Sequence, residues 1–248
     1  MLISIISATF NSADEIMKTY DSIKKQTHQK WEWLVTDDCS VDNTFQILKE
    51  IQQKDERVFI FKNKVNSGAA VSRNLSLKHV KGDFIAFIDS DDIWVEDKLE
   101  KQIIFMGDNI NFSFTAYSLI DENGKCLNQV VDSKTSGSFT YQDMLKKKAT
   151  LGCSTVMLRS MAFPSLTMPL LRTGQDYATW LKILKKGEKA FVLAEPLTKY
   201  RIMPNSISRN KLKKAKRQWQ IYRELEKLRL IESMINFCFY AWRAVFRK

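Results

Sequence analysis

The sequence predicts an α/β fold with a Rossmann-like nucleotide-binding half, and three observations carry that prediction. Four short apolar runs, at residues 2–8, 33–36, 57–61 and 84–88, alternate with stretches of helical periodicity. Each run ends in a polar or acidic turn, which is where an open α/β sheet binds its ligands. The fourth run passes from Phe-Ile-Ala-Phe-Ile straight into Asp89-Ser90-Asp91-Asp92. Carboxylates crowded at a strand end repel one another unless a cation or a donor-rich ligand lies between them. A hard divalent metal that also grips phosphate oxygens fits, with Asp89 and Asp91 on one turn and Asp92 close behind. The alternative is a solvated acidic turn opening a helix near Val95, where Asp is a good N-terminal residue.

The remaining elements are taken in chain order. Residues 2–8 are rich in β-branched side chains, suit a central strand and lead into Thr9-Phe10-Asn11. Ser12-Ala13-Asp14-Glu15 has capping-box spacing, so a helix is expected from about Ala13 with Ile16, Tyr20, Ile23 and Thr27 inward. Residues 33–36 form a second strand ending in Asp37-Asp38. A parallel, right-handed βαβ return places Thr9 and Asp38 side by side on one sheet edge. A helix over 42–54, with Phe45, Leu48 and Ile51 inward, leads to the strand at 57–61. Asn66-Ser67-Gly68 then opens a helix whose first amides are placed to face phosphate, with Arg73 one turn in. A solvent-facing arginine is the alternative there. Neither GxGxxG nor GxxxxGK(S/T) occurs, so phosphate binding falls to a metal.

Beyond Trp94 the alternation stops. Residues 111–120 and 129–131 flank a turn at Glu122-Asn123-Gly124 and predict strands that leave the parallel order, giving a mixed central sheet whose second half walls the other side of a cleft. Residues 154–159 are a further strand, and 170–176 lead into a helix over 177–186. Asp176 sits at that helix start, either as an N-cap or as a catalytic group. From 209 to 229 basic residues dominate, while Leu212, Ala215, Trp219, Tyr222 and Leu225 keep a helical stripe. Residues 230–246 are mostly apolar, yet Glu232, Asn236, Tyr240, Arg243 and Arg247 align as one polar stripe. Such a stripe argues against spanning a bilayer. Interfacial docking on a membrane, packing on the protein's own core and a partner subunit all remain open.

The formal charge of +11 in 248 residues implies an anionic partner, whether nucleic acid, anionic lipid or nucleotide phosphate. Four scattered cysteines without a CxxC pair make a zinc site or disulfide framework unlikely, and a reducing cytoplasm is expected. The first residues lack a basic stretch ahead of their apolar run and read as a strand rather than a signal peptide.

Five motifs in order, Ile-Ile-Ser-Ala-Thr9-Phe-Asn11, Val-Thr-Asp37-Asp38-Cys-Ser-Val-Asp-Asn-Thr44, Asn66-Ser-Gly-Ala-Ala-Val-Ser-Arg73-Asn74, Gly82-Asp-Phe-Ile-Ala-Phe-Ile-Asp89-Ser-Asp91-Asp92 and Gly174-Gln-Asp176, resemble glycosyltransferase family 2 over residues 1–206. The style is closest to bacterial enzymes of teichuronic acid, capsule or lipopolysaccharide synthesis. The resemblance implies a GT-A fold and assigns Thr9, Asn11, Asp38, Arg73, Asp89 and Ser90 to the nucleotide. It further implies Asp91 with Asp89 at a Mn2+ or Mg2+ ion, and Asp176 as the catalytic base. Trp94, Asp92, Gln175 and Arg201 are assigned to the acceptor side or a lid. Two departures stand out: Gln175 replaces the acidic residue that usually precedes the base, and Met203 replaces a histidine common in the late loop. Without QxxRW or a long membrane hairpin, one sugar per encounter is expected rather than processive synthesis.

The expectation is therefore an inverting glycosyltransferase domain over 1–206, using a nucleotide sugar, UDP-linked, on a lipid-linked or polysaccharide acceptor. Residues 207–248 are expected to form a basic amphipathic tail that attaches the protein peripherally to an anionic membrane from the cytoplasm. A homo-oligomer is compatible with the tail, and no nucleic acid is expected. The rival readings are a nucleic-acid-binding protein, from the basic run at 211–217 beside Trp219, and a nucleotidyltransferase on a similar fold.

Overall fold

The computed structural model describes residues 1–203 and 211–246. The expected boundary at 206, Arg209 at the start of the basic helix, and Arg247 of the polar stripe lie outside the described residues.

The sheet grows from its most apolar segments outward. Strand β1 (Ile3–Thr9) lies between β2 (Trp31–Asp37) and β4 (Phe84–Phe87), parallel to both, and β3 (Val58–Lys62) closes that edge parallel to β2. Nearly every residue of β1, β2 and β4 is buried, as expected of parallel strands covered on both faces. Helices α1 (Ile16–Lys24), α2 (Thr44–Lys54) and α3 (Ala69–Leu77) make the crossovers. The predicted half-domain is therefore present, with strand order β3-β2-β1-β4.

On the far side of β4 the order changes. Strand β9 (Val156–Arg159) runs antiparallel to β4, and β6 (Phe112–Ile120) runs antiparallel to β9. The long strand β10 (Ala190–Arg201) lies parallel to β6. Strand β7 (Cys126–Val131) forms the expected hairpin with β6. Two short strands, β5 (Ile93–Trp94) and β8 (Ser138–Phe139), pair with β10. The result is a ten-stranded mixed sheet, with α4 (Lys98–Met106), α5 (Tyr141–Leu145) and α6 (Gln175–Leu184) packed around its second half. The four cysteines are free.

Several local expectations are corrected. The Ser12–Glu15 capping box does not form: α1 begins at Ile16 without a side-chain cap, because the Ser12 hydroxyl is engaged by Ser90 and the Phe10 carbonyl. Thr27 is exposed, and buried Gln26 takes the inner place by bonding the backbone of Ser22, Val95 and Leu99. The helix expected near Val95 starts at Lys98, because Ile93 and Trp94 are drawn into strand pairing with β10.

The C-terminal segment differs most. Helix α7 (Lys211–Gln220) runs into a π-turn at Ile221–Leu225, followed by α8 (Leu230–Phe246). Of the predicted apolar stripe, Tyr222 is buried and Ala215, Trp219 and Leu225 are half-buried, whereas Leu212 is 84% exposed; Gln218 and Ile221 join the buried face. Ile221 and Tyr222 belong to the same apolar cluster as Trp180 and Phe112. Tyr222 donates to the Leu145 carbonyl, and Glu226 takes hydrogen bonds from Tyr141 and Lys185. The stretch from Gln218 to Glu226 thus packs on the core, while Leu212, Lys213, Lys214 and Lys216 are exposed.

Candidate functional site

Strand register brings the predicted residues to one edge of the sheet. Thr9 pairs with Asp37, and the Asp38 amide donates to the Thr9 carbonyl at 2.8 Å, so Thr9 and Asp38 are neighbours as the βαβ geometry requires. The Thr9 hydroxyl is buried without a hydrogen-bond partner among the described residues. Asp38 is fully engaged. Its carboxylate accepts from Asn63 Nδ2 at 2.7 Å, from the Ser67 amide at 2.8 Å and from the Gly68 amide at 2.7 Å. The amides expected to face phosphate at the start of α3 are therefore capped by Asp38 itself, a carboxylate in the position that the helix dipole favours. Asn11, at φ 50°, donates its amide to Ser40 and accepts from the Val41 amide, which ties the loop after β1 to the loop after β2.

The acidic turn after β4 splits its three carboxylates by environment. Asp92 points inward: its oxygens accept from the Ser154 hydroxyl and from the Arg201 amide at 2.9 Å. Burial, then the charges of Asp91 and Asp89, push its pKa well above the usual carboxylate range. Ser154 also accepts from the Asp89 amide at 3.0 Å, so one hydroxyl links the first and last acids of the turn. The Ser154 carbonyl in turn receives Trp94 Nε1 at 2.8 Å and the Thr198 hydroxyl at 3.1 Å. Arg201 donates through Nε to the Asp91 carbonyl and through Nη1 to the carbonyls of Asp121 and Glu122, binding the turn to the β6–β7 hairpin.

Three of the four residues expected on the acceptor side or a lid are bonded within this scaffold, whereas Gln175 Oε1 has no hydrogen-bond partner among the described residues. Trp94, Asp92 and Arg201 are buried, with their polar atoms committed to this scaffold, and Gln175 is buried at the start of α6. They shape the turn and the helix start from behind. Sequence inspection missed Ser154 entirely. Its one signal is its place just ahead of a strand, which becomes informative only once β9 is known to pair with β4.

Asp89 and Asp91 remain on the open side. Asp89 is paired with Arg73, whose side chain is buried and whose Nε and Nη1 have no hydrogen-bond partner among the described residues. The solvent-facing alternative for Arg73 is thereby excluded. Burial works against the Arg73 charge, but Cys153, Asp89 and Asp176 outweigh it and hold the guanidinium charged. Burial followed by the charge of Asp89 pushes the pKa of Asp91 up to about 6. A cation beside Asp91 would relieve both penalties. No group of three His, Cys, Asp or Glu side chains converges as an all-protein metal site among the described residues. One or two carboxylates completed by phosphate oxygens and water is the donor set that suits Mg2+ or a similar ion, so the residues present fit a metal that arrives with its nucleotide.

Asp176 occupies the second position of α6. The N-cap is Gly174, held at φ 72°, and no side chain caps the helix. The N-cap alternative for Asp176 therefore fails. Gly174 is hemmed in by the core-bound C-terminal segment: an added Cβ would meet Ile221 Cδ1 at 3.2 Å and Arg217 Cγ at 3.5 Å. Arg217 also bonds the Thr173 hydroxyl, so α7 braces the loop that delivers Asp176. Burial raises the Asp176 pKa against the opposing pull of the Tyr177 amide and Arg73, and Asp89 adds to the rise. Asp176, Arg73 and Asp89 form one electrostatic cluster at the cleft. Ser90, by contrast, faces Ser12 at 2.9 Å beneath the turn.

Comparison with known proteins bears on the family and the fold. The family model for glycosyl transferase family 2 matches residues 4–163. TuaG of Bacillus subtilis, named as a putative teichuronic acid biosynthesis glycosyltransferase, is 44% identical over 98% of this chain and 96% of its own. WfgD of Escherichia coli, named as a UDP-Glc:alpha-D-GlcNAc-diphosphoundecaprenol beta-1,3-glucosyltransferase, is 39% identical over 89% of this chain and 85% of its own. Among solved structures, Staphylococcus aureus TarS 1-349 in complex with UDP superposes with a TM-score of 0.70 at 23% identity, covering 89% of this chain and 64% of that one. The mannosyltransferase PcManGT of Pyrobaculum calidifontis, in complex with GDP-Man and Mn2+, gives 0.72 at 17% identity over 98% of this chain and 70% of that one. These two likenesses establish the shared GT-A fold.

Proposed function

The chain belongs to glycosyl transferase family 2, and from that premise we propose that it is an inverting, non-processive enzyme that moves one sugar from a UDP-sugar to a lipid-linked acceptor during cell-surface polysaccharide synthesis. The observation that carries this reading is Asp176, a carboxylate in the first turn of α6 that is not the N-cap, has its pKa raised by burial and faces the same charge cluster as the acidic turn. An acceptor hydroxyl is a poor nucleophile at neutral pH, and a carboxylate within hydrogen-bond reach removes its proton as the new bond to the anomeric carbon forms. A raised pKa makes Asp176 a better proton acceptor. A single displacement inverts the anomeric centre, so an α-linked donor yields a β-glycoside; the printed name of WfgD supports that outcome.

Thr9 and Asp38 are assigned to the edge that receives the base, and Arg73 with Asp89 to the ribose and diphosphate side. A Mn2+ or Mg2+ ion held by Asp91, with Asp89, would neutralise the charge gathering on the leaving diphosphate. The acceptor class is taken from the printed name of WfgD, a sugar on a lipid diphosphate; the cytoplasmic face of the membrane as the place of reaction is part of the same proposal. The test uses the purified protein with a panel of UDP-sugars and a lipid-diphosphate acceptor. Asp176→Asn should bind UDP nearly as the parent does and lose roughly 100-fold or more in turnover. A variant that retains its specific activity would overturn the assignment.

A further inference from the structure

The polar stripe read from the sequence of α8 turns out to face the protein. Ser233 is 0% exposed and Asn236 2%, while Ile231 is 73% exposed and Trp242 58%. The cost of burying the polar side is offset in part: Ser233 Oγ donates to the Arg229 carbonyl and Asn236 Nδ2 to the Glu232 carbonyl, each one turn back, while Asn236 Oδ1 and Arg243 Nε have no hydrogen-bond partner among the described residues. The opposite face is an open groove lined by Ile231, Met234, Ile235, Cys238, Phe239 and Trp242, with almost no polar surface. A helix in water normally does the reverse, and a contiguous apolar patch of this kind marks an interaction surface.

We propose that this face of α8 is a docking surface for an anionic lipid bilayer, on which the protein rests without crossing. Three observations favour lipid over a second copy of the chain. The described C-terminal segment, 211–246, holds nine basic residues against three acidic ones. A symmetric dimer through α8 would bring that excess against itself, whereas anionic headgroups neutralise it. The cations also sit where headgroups would lie: Lys227 and Arg229 are exposed just ahead of the helix, and the Lys146 ammonium lies 5.5 Å from the Phe239 ring. Finally, a stable protein interface engages about 20–30 residues a side, far more than the six side chains of this groove. Phe239 and Trp242 are the ring types that settle at the headgroup boundary. At 17 residues α8 is about 25 Å long, short of the ~30 Å hydrocarbon layer, and no described helix is long and apolar enough to cross a membrane. The docked state buries the apolar face and leaves the polar one on the protein, as interfacial helices do.

The test is vesicle flotation of the full-length protein with UDP binding measured in parallel. It needs no sugar transfer, so its failure leaves the transferase reading standing. The parent should float with phosphatidylcholine vesicles that contain phosphatidylglycerol, release at high salt, and stay behind with phosphatidylcholine alone. The double substitution Ile235→Glu/Trp242→Ser should lower vesicle partitioning about tenfold or more while UDP binding is unchanged. Lys227→Gln/Arg229→Gln, which leaves the groove intact, should weaken binding severalfold and decides the matter should the first variant misfold. Parent protein that ignores phosphatidylglycerol vesicles at low salt, or variants that float like the parent, would overturn the proposal. So would a vesicle-free dimer that Ile235→Glu/Trp242→Ser splits into monomers.

Discussion

Replacing Ser154 with Ala removes one oxygen from the hinge of the acidic turn, and the surrounding hydrogen bonds determine the outcome. The Ser154 hydroxyl accepts from the Asp89 amide and donates to Asp92, both inside the protein. Alanine leaves one part-buried amide and one buried carboxylate oxygen short of a partner. A buried polar group left unsatisfied costs about 1–3 kcal/mol, so the two together should cost roughly 2–4 kcal/mol. For a chain of this size that is about 5–15 °C in Tm, at roughly 2–4 °C per kcal/mol. The functional effect should be distinct from the loss of stability. With the Asp89 peptide no longer pinned, the carboxylates of Asp89 and Asp91 lose their fixed separation, and Mn2+-dependent UDP binding should weaken well below the unfolding temperature. Calorimetric titration of UDP with and without Mn2+, together with urea unfolding, measures both effects. A double-mutant cycle with Asp92→Asn should return a coupling of about 0.5–3 kcal/mol, because the two side chains share one hydrogen bond. A Ser154→Ala protein with the parent's midpoint and the parent's Mn2+ response would refute the claim that this hydroxyl holds the turn.

The charges lead to two further outcomes. Asp91→Asn removes a carboxylate that burial and Asp89 disfavour, so metal-free thermal stability should be equal to the parent's or higher while UDP binding loses its response to Mn2+; calorimetry that shows an undiminished Mn2+ response would refute the role of Asp91. Asp55 provides a pH test away from the site: its pKa is lowered to about 2, first by the hydrogen bond from Arg57, with Tyr20 bonding it as well. A depressed carboxylate pKa contributes stability that is present above the unfolded value near 4 and is lost as pH falls towards 2. Urea midpoints for the parent and Asp55→Asn should therefore differ at pH 6, by on the order of 1–2 kcal/mol, and converge near pH 2.

How much of the fold and the site is readable in the sequence depends on which force sets each feature. Strands β1, β2 and β4 are legible because parallel strands buried on both faces must be continuous apolar runs, and the parallel sense of each return follows from the crossover rule. The neighbouring of Thr9 and Asp38 comes with that geometry. Strands β5 and β8, two residues each, are not legible, since they exist only through pairing with β10 and carry no pattern of their own. For the same reason the scaffold behind the acidic turn escapes notice: Ser154 and Arg201 meet Asp92 across 62 and 109 residues of chain, and no local spacing encodes that meeting.

Helix α8 shows a different limit. Its periodicity correctly sorts polar from apolar positions onto two faces, but periodicity is silent about which face meets the protein. The usual rule, apolar side inward, rests on the cost of burying polar groups that lack partners. Ser233 and Asn236 evade part of that cost by bonding the carbonyls one turn back, so the helix can lie polar side down. That orientation leaves Ile231, Ile235 and Trp242 largely in water, which is unfavourable unless something apolar covers them. The two halves of the C-terminal segment therefore divide the work. Residues from Arg217 to Glu226 pack on the core and brace the loop that carries Asp176, while α8 turns its apolar face outward. Under the proposed function, an enzyme whose acceptor is anchored in lipid gains from that division, because the helix proposed to meet the bilayer is joined through α7 to the loop that carries Asp176.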